Sequence, residues 1–456
     1  MIELTIKADA VIEATIREIT SVYEAFCGDL SIVVEPHDGG MTASAGEQCA
    51  FAPTTEHSPT KTAKSAVYLL LQRITGIDLP WGSMTGVKPL NKYEQLLEQG
   101  MSEEEATEYF RFTLHVSRQK TDLIAETARV QKPFLVPDVN TVGLYVHVPL
   151  CVSKCTYCSF PSRVTAQGSE LCEGYLQALT KELFALGETA EQNGIRFDTV
   201  YVGGGTPSVF SEDQTARLMR AIRHIADCRE LTFEAGRADT VSEEKLRILK
   251  EFGVSRISLN PQTMNDRTLA AINRSATVSD FLKCYEQARR IGFEVINCDL
   301  ILGLEDETED DFAHSLDAVA ALAPENITLH TLCKKRSSDA DLETIRESNV
   351  NVSAFHDTAR AFLGQRGYRP YYLYKQKYAI SASENAGYAM PSTECVYNIR
   401  MMGQKQSIYA AGAGSSTKLL NAEGNYRNVY NIKEVPQYIE KIDGIIEKKQ
   451  REIRKK

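Results

Sequence analysis

Between residues 142 and 332 the chain repeats a single pattern, and that pattern restricts its fold more than any other feature. Six short apolar, β-branched segments read as strands: 142–148 (VGLYVHV), 199–205 (TVYVGGG), 230–236 (ELTFEAG), 256–262 (RISLNPQ), 294–304 (EVINCDLILGL) and 326–332 (NITLHTL). Helix-like stretches lie between them, near 169–193, 211–226, 242–252, 278–291 and 308–322. Ser211 before Glu212 and Asp213, and Ser242 before Glu243 and Glu244, have the chemistry of helix N-caps. Strands alternating with helices require a parallel sheet joined by right-handed crossovers. Six such units make a partial barrel or an open α/β sheet, and in either case the working edge is the C-terminal ends of the strands.

The flanks differ from this core. Helical periods at 60–76, 91–99 and 102–130 are broken by the Gly/Pro turn LPWGSMTGVKPL at 79–90, and QKPFLVPDVN at 131–140 reads as a linker. After about 345 the alternation stops. The expected organisation is an N-terminal α/β module over 1–135, a core over 140–345, and a C-terminal cap over 346–456 that covers the substrate. With 456 residues, 43% hydrophobic and 25% charged, the chain is no disordered polymer. A net charge of −10 argues against nucleic acid, whose phosphates demand a basic surface. No run reaches the ~18–20 apolar residues of a membrane span, and the first 20 residues lack a signal-peptide apolar region. A cytoplasmic location is expected.

Eleven cysteines in such a chain are not a disulfide framework. Eight are dispersed (Cys27, Cys49, Cys172, Cys228, Cys284, Cys298, Cys333 and Cys395) and read as small buried apolar residues. The other three, Cys151, Cys155 and Cys158, form C-x3-C-x2-C directly after the first core strand. Thiolates so spaced can converge on one metal centre. Structural zinc wants four ligands, and no second pair exists, although His147 is available as a fourth. An iron–sulfur cluster held by three thiolates leaves one iron open, which is the arrangement of a reactive centre, and we prefer this reading to zinc.

With YVHVP before it and CTYCSF within it, this run resembles the radical S-adenosylmethionine (SAM) superfamily, and within it the oxygen-independent coproporphyrinogen oxidase group. GGGTPS at 203–208, TFEAGRADT, NPQTM, INRSAT and CDLILGL follow in the group's order. TGIDLPWGSMTGVKP near the start and PYYLYKQKYAISASENAGY at 370–388 are similar to HemZ-type coproporphyrinogen dehydrogenases. The resemblance implies a partial (β/α)6 barrel, a [4Fe–4S] cluster on Cys151, Cys155 and Cys158, and SAM chelated to the open iron. It assigns SAM contacts to Tyr145, Tyr157, Gly204, Gly205, Thr206, Glu234, Gln262, Arg274 and Asp299, and gives no catalytic residue beyond these. Ser159 and Phe160 stand where some members carry a fourth cysteine, and residues 1–135 lack the HemN-type N-terminal segment.

The implied chemistry is oxidative decarboxylation of two propionates of coproporphyrinogen III to vinyl groups. A 5′-deoxyadenosyl radical removes a propionate hydrogen, carbon dioxide leaves, and an acceptor takes the remaining electron. The implied partners are a tetrapyrrole and a reductant protein such as flavodoxin or ferredoxin. Two rivals come from neighbouring branches: a haem chaperone and a haem-opening methyltransferase. Against the chaperone, its CPYCDF run is CTYCSF here, and the single Trp81 lies far upstream of the tryptophan motif of that branch.

Seven of the 20 tyrosines crowd into 368–397. They read as a strand pair packing aromatic faces on the core, or as a tetrapyrrole wall whose propionates meet Arg369, Lys375, Lys377 and Arg400. AAGAGSST at 410–417 reads as a close-packed loop near the mouth, EDETEDD at 305–311 as an acidic helix entry, and His330 as a pocket or structural histidine.

Overall fold

A computed structural model describes residues 2–6, 10–23, 27, 29–54, 58–86, 88–160, 162–332, 352–375, 383–421 and 423–455. Cys333, Lys377 and Tyr378 lie outside the described residues. The chain divides into two compact units, Met1–Arg129 with Leu373–Glu384, and Val130–Tyr372 with Asn385–Lys456.

The first unit holds a four-stranded sheet of β1 (Ile2–Ile6), β2 (Leu30–His37), β3 (Gly40–Ala45) and β4 (Gln48–Pro53), paired in that order. The alternating residues Ile32, Val34, Met41, Ala43, Ala50 and Ala52 put one sheet face against helices Ala10–Tyr23 and Pro59–Thr75. The helical period read across 102–130 is interrupted. Helix Glu103–Glu108 passes into a π-turn at Tyr109–Thr113, and a new helix starts at Arg118. The cause is the loop after Leu79. Ser83 N donates to Leu114 O (2.8 Å) and Ser117 N to Pro80 O (2.9 Å), while His115 turns into the left-handed region at φ 56. Lys375, proposed to meet a propionate, is instead buried in this unit, its ammonium donating to Met84 O (2.6 Å) above the Trp81 ring.

The second unit is the barrel. β5 (Thr141–Val148) leads through the short strands β6 (Leu150–Cys151) and β7 (Arg163–Val164), which pair with each other. The parallel series continues with β8 (Arg196–Gly204), β9 (Glu230–Glu234), β10 (Arg256–Ser258), β11 (Val295–Leu302) and β12 (Asn326–Thr331). Each of these six long strands lies beside the next in sequence, the order of a (β/α)6 arrangement. Helices Glu170–Gln192, Glu212–Ile225, Glu243–Glu251, Val278–Ile291 and Glu309–Ala321 connect them. Ser211 and Thr308 close reciprocal capping boxes with Gln214 and Asp311, and Ser242 accepts from Lys245 N, so the caps start these helices as their sequences imply. EDETEDD is thereby a helix entry.

The C-terminal strands extend the sheet at both sides. β13 (Arg369–Lys375) and β14 (Glu384–Ala389) add beyond β12, β14 running antiparallel to it. β15 (Ile408–Ala411) adds parallel to β5, followed by β16 (Ser416–Leu420) and β17 (Tyr426–Tyr430). The eleven-stranded sheet is not closed: β13 and β17 are its edges. Tyr371, Tyr372 and Tyr388 are buried on the strand pair, as an aromatic packing face requires.

Helix Val396–Gly403 closes the N-terminal end of the barrel. Glu230, first residue of β9, accepts from Val396 N (2.8 Å) and Tyr397 N (2.9 Å) at the helix start. Arg256, first residue of β10, donates to Asn326 and to Thr393 O (2.5 Å). Arg400, read as a possible propionate partner, is buried here and paired with Asp198, with Phe134 O accepting from its Nε at 2.9 Å. That contact also ties down the two-proline segment read as a linker, whose Leu135 is buried. Among the described residues no helix is long and apolar enough to cross a membrane.

Candidate functional site

The opposite end of the barrel carries the cysteine loop. Cys151 ends β6, with its thiol accepting from Thr206 Oγ1 at 3.3 Å. Gly205 is why the two segments can meet: a Cβ there would stand 2.7 Å from Leu150 O and 2.9 Å from Cys151 Sγ. Cys155 is buried beside Arg237, whose Nη1 is 3.8 Å from its sulfur and also donates to Ser153 Oγ (2.8 Å). Asp239 holds that guanidinium by two bonds, at 3.0 and 2.7 Å. The Cys158 thiol is pushed up chiefly by burial and further by the negative charges of Cys155 and Cys151. Raising the Cys158 thiol favours its protonated form, and a metal that binds there takes the proton's place. Among the described residues no group of three His, Cys, Asp or Glu side chains is set to hold a lone metal ion. In a cluster each thiolate binds its own iron, and three thiols on one loop, one braced by Arg237, fit that donor set.

β8 brings the glycine run to the same mouth. Gly204 has φ +121, and a Cβ there would strike the His147 ring. A Cβ on Gly203 would lie 2.8 Å from the Glu234 carboxylate. Glu234, last residue of β9, accepts from Tyr201 OH (2.6 Å) and Gly204 N (3.2 Å). Burial raises its pKa to about 7, with Asp299 adding to the rise and Tyr201 opposing it. Asp299 on β11 behaves oppositely. Burial works to raise it, but His330 Nε2 at 3.6 Å, Asn297 and Thr328 prevail and hold it below its ordinary value. His330 thus faces the mouth.

Gln262 follows β10 in a left-handed conformation (φ 68), pinned by Gln262 N to Asp299 O and Ile301 N to Gln262 O, both 2.9 Å. Its buried Oε1 has no hydrogen-bond partner. A strained residue holding an unsatisfied acceptor at a strand end is where a ligand donor belongs. Arg274 donates to Tyr157 OH (3.2 Å) and Gly236 O (2.6 Å), which ties the cysteine loop to the turn after β9. The short helix Asp266–Ala271 sets this up, with Thr156 N reaching Ile272 O at 3.3 Å.

Tyr145 stacks on His147 (5.6 Å between centroids), and Tyr201 on Tyr397 (4.8 Å), which makes an aromatic floor beneath the carboxylates. His147, weighed as a metal ligand, donates from Nδ1 to Ala413 O (2.5 Å), and burial keeps it neutral. The AAGAGSST loop packs on it: Tyr175 OH donates to His147 O (2.7 Å) and accepts from Ala413 N (2.9 Å). The twelve expected site residues stand on the cysteine loop, the glycine run, the C-terminal halves of the strands, or the segments that follow them; Tyr145 and Asp299 are each the fifth residue of their eight-residue strands, and Arg274 follows the short helix Asp266–Ala271. Arg237 and Tyr201 were not singled out in the sequence, and Tyr397 belongs to the tyrosine cluster over 368–397. Of the first two, only Arg237 carried a signal, as a lone cation in the polar turn GRADT after a strand.

Residues 145–319 match the Radical SAM superfamily. The chain is 34% identical over 416 residues to the oxygen-independent coproporphyrinogen-III oxidase-like protein HemZ of Bacillus subtilis (strain 168), spanning 88% of this chain and 83% of that one. It is 36% identical over 193 residues to the heme chaperone HemW of the same organism, spanning 41% of this chain and 49% of the chaperone. Among solved structures, coproporphyrinogen III oxidase (HemN) from Escherichia coli, a radical SAM enzyme, superposes with TM-score 0.52 at 23% identity over 70% of this chain and 73% of that one.

Proposed function

From the premise that the chain belongs to the radical SAM superfamily and, within it, to the HemZ family of coproporphyrinogen oxidase-like proteins, we propose that it oxidatively decarboxylates two propionates of coproporphyrinogen III. Its cofactors are a [4Fe–4S] cluster and SAM. When bound, they supply an electron and a cleavable sulfonium, from which comes the 5′-deoxyadenosyl radical that removes a substrate hydrogen.

The chain's own part is to bind, orient and shield. Cys151, Cys155 and Cys158 would hold three irons, with Arg237 offsetting thiolate charge. Gly204 and Gly205 would let backbone approach SAM without side-chain obstruction, and Thr206 would line the same run. Glu234 and Asp299 would accept from ribose hydroxyls, Gln262 Oε1 from a further donor, and Arg274 would pair with the methionine carboxylate. Tyr145 and Tyr157 would flank the bound cofactor.

Extent of similarity carries the choice: the match to the HemZ-like relative runs through most of both chains. The second reading, a haem chaperone, is favoured by the higher identity to HemW over a shorter stretch. Anaerobic incubation of the reconstituted protein with coproporphyrinogen III, SAM and a reductant separates them. Vinyl-bearing products with methionine and deoxyadenosine are expected. Deoxyadenosine without any vinyl product overturns the decarboxylase, and tight haem binding without turnover supports the chaperone.

A further inference from the structure

We propose that His330 is a substrate-binding residue, which receives a propionate carboxylate at the mouth of the barrel. The inference rests on the proposed function and deepens it, because it names the group that meets the charge of the reacting side chain.

The need for such a group follows from the charges already at the mouth. Glu234 ends β9 and Asp299 lies on β11, and a substrate carrying four carboxylates is repelled by each of them when ionised. The cations read in the sequence as propionate partners stand elsewhere. Arg400 is buried against Asp198 at the closed end, and Lys375 is buried in the first unit against Met84 O. Arg369 begins β13, and its neighbour Tyr368 donates to Pro324 O just before β12 starts, so Arg369 also belongs to the closed end. Lys377 lies outside the described residues. At the mouth itself, Arg237 is taken by Asp239, and Arg274 donates to Tyr157 OH and Gly236 O.

His330 is placed differently. It is the fifth of the six residues of β12, beside Ile301 of β11, and its side chain is 27% exposed. Nε2 lies 3.6 Å from Asp299 Oδ2, whereas Nδ1 has no partner among the described residues. Asp299 does not depend on this ring to hold its place. Asn297 Nδ2 donates to Asp299 Oδ1 at 2.8 Å, and Thr328 Oγ1 fixes Asn297 in turn at 3.0 Å. On the other side β14 adds no charge, with Gly387 opposite Thr328 and Ala386 opposite Leu329. In its protonated form an imidazole donates from both nitrogens, so His330 can hold Asp299 and a second carboxylate at once. Unlike Arg237 and Arg274, it has a donor nitrogen to spare.

His330 makes and breaks no covalent bond and keeps its proton. It holds the propionate until the carboxylate leaves as carbon dioxide. The vinyl group left behind has no charge, so the contact ends with the reaction and the second propionate can take the same place.

The test uses the full-length, cluster-loaded protein, with coproporphyrin III as a stable probe that carries the same four propionates. Its binding is read anaerobically by fluorescence quenching, and SAM binding by calorimetry. His330→Gln should weaken coproporphyrin binding roughly tenfold or more and raise the KM for coproporphyrinogen III by a similar factor. His330→Glu should weaken binding further, and His330→Arg should recover most of the loss. SAM affinity should be little changed in the Gln and Arg variants. The reverse pattern, weaker SAM with coproporphyrin binding intact, would make His330 a support for Asp299 alone and overturns the proposal. Equal coproporphyrin binding in wild type and all three variants, with vinyl products still formed by wild type, also overturns it and leaves the proposed function standing. Wild-type protein that forms no vinyl product removes the proposed function, and this inference with it.

Discussion

The two ends of the barrel are built from the same strands, yet they treat charge in opposite ways. At the closed end, Asp198 meets Arg400 and Gln406, Glu230 meets two helix N–H groups, and Arg256 meets Asn326 and a carbonyl. At the mouth, Glu234 is raised to about 7, Gln262 Oε1 is buried without a partner in a left-handed backbone, and burial pushes the Cys158 thiol up. Satisfied charge fastens the C-terminal helix to the sheet. Unsatisfied polarity costs folding free energy, and at the Gln262 carboxamide a ligand donor would recover it.

Four measurements can break or sharpen this contrast. The largest effect is expected for Cys155→Ser, which should take cluster iron and sulfide to near zero while unfolding of the metal-free chain shifts by no more than about 1 kcal/mol. Next, Arg400→Met strands Asp198 at the closed end and should cost about 3–5 kcal/mol in urea unfolding. SAM affinity of the folded fraction should not change, and a parallel loss of affinity would erase the distinction between the ends. Third, Glu234→Gln should reverse that pattern, weakening SAM by roughly 10–100-fold through loss of a charged acceptor with no loss of stability. Calorimetric titration of the anaerobic holoprotein measures it.

The smallest effect is a pH dependence. Glu234 is ionised above pH 7 and protonated below, so SAM affinity should fall about tenfold from pH 8 to 6. Glu234→Gln should flatten that profile. For stability the sign is opposite. The folded pKa is raised, so the folded chain prefers the protonated form, and this residue's contribution improves as pH falls from 7 toward the ordinary 4.5.

How much could be read in advance follows the range of each interaction. The six parallel strands and their helices were legible because β-branched runs and caps such as Ser211 and Ser242 are local. Conformations imposed from afar were not. The π-turn at Tyr109–Thr113 results from a loop 30 residues earlier, and the positive φ of Gln262 from pairing with β11. Arg400 read as a propionate partner because nothing near it in sequence announces Asp198. β15 to β17 are four or five residues each and lie outside the strand–helix alternation that made equally short β9 and β10 legible. For the site, the cysteine spacing and glycine run marked the place, but Arg237 reaches Cys155 only through the turn after β9.

The pairing of β5 with β15 sets a timetable. Gly143 stands opposite Ile408, so the strand leading into the cysteine loop waits for a partner made 265 residues later. At roughly 5–20 residues per second that is about 13–53 s of synthesis. Throughout that interval one edge of β5 is an open template for foreign strands. A chain cut short before residue 408 would keep the edge open permanently, and it should aggregate even though every cluster cysteine has already been made.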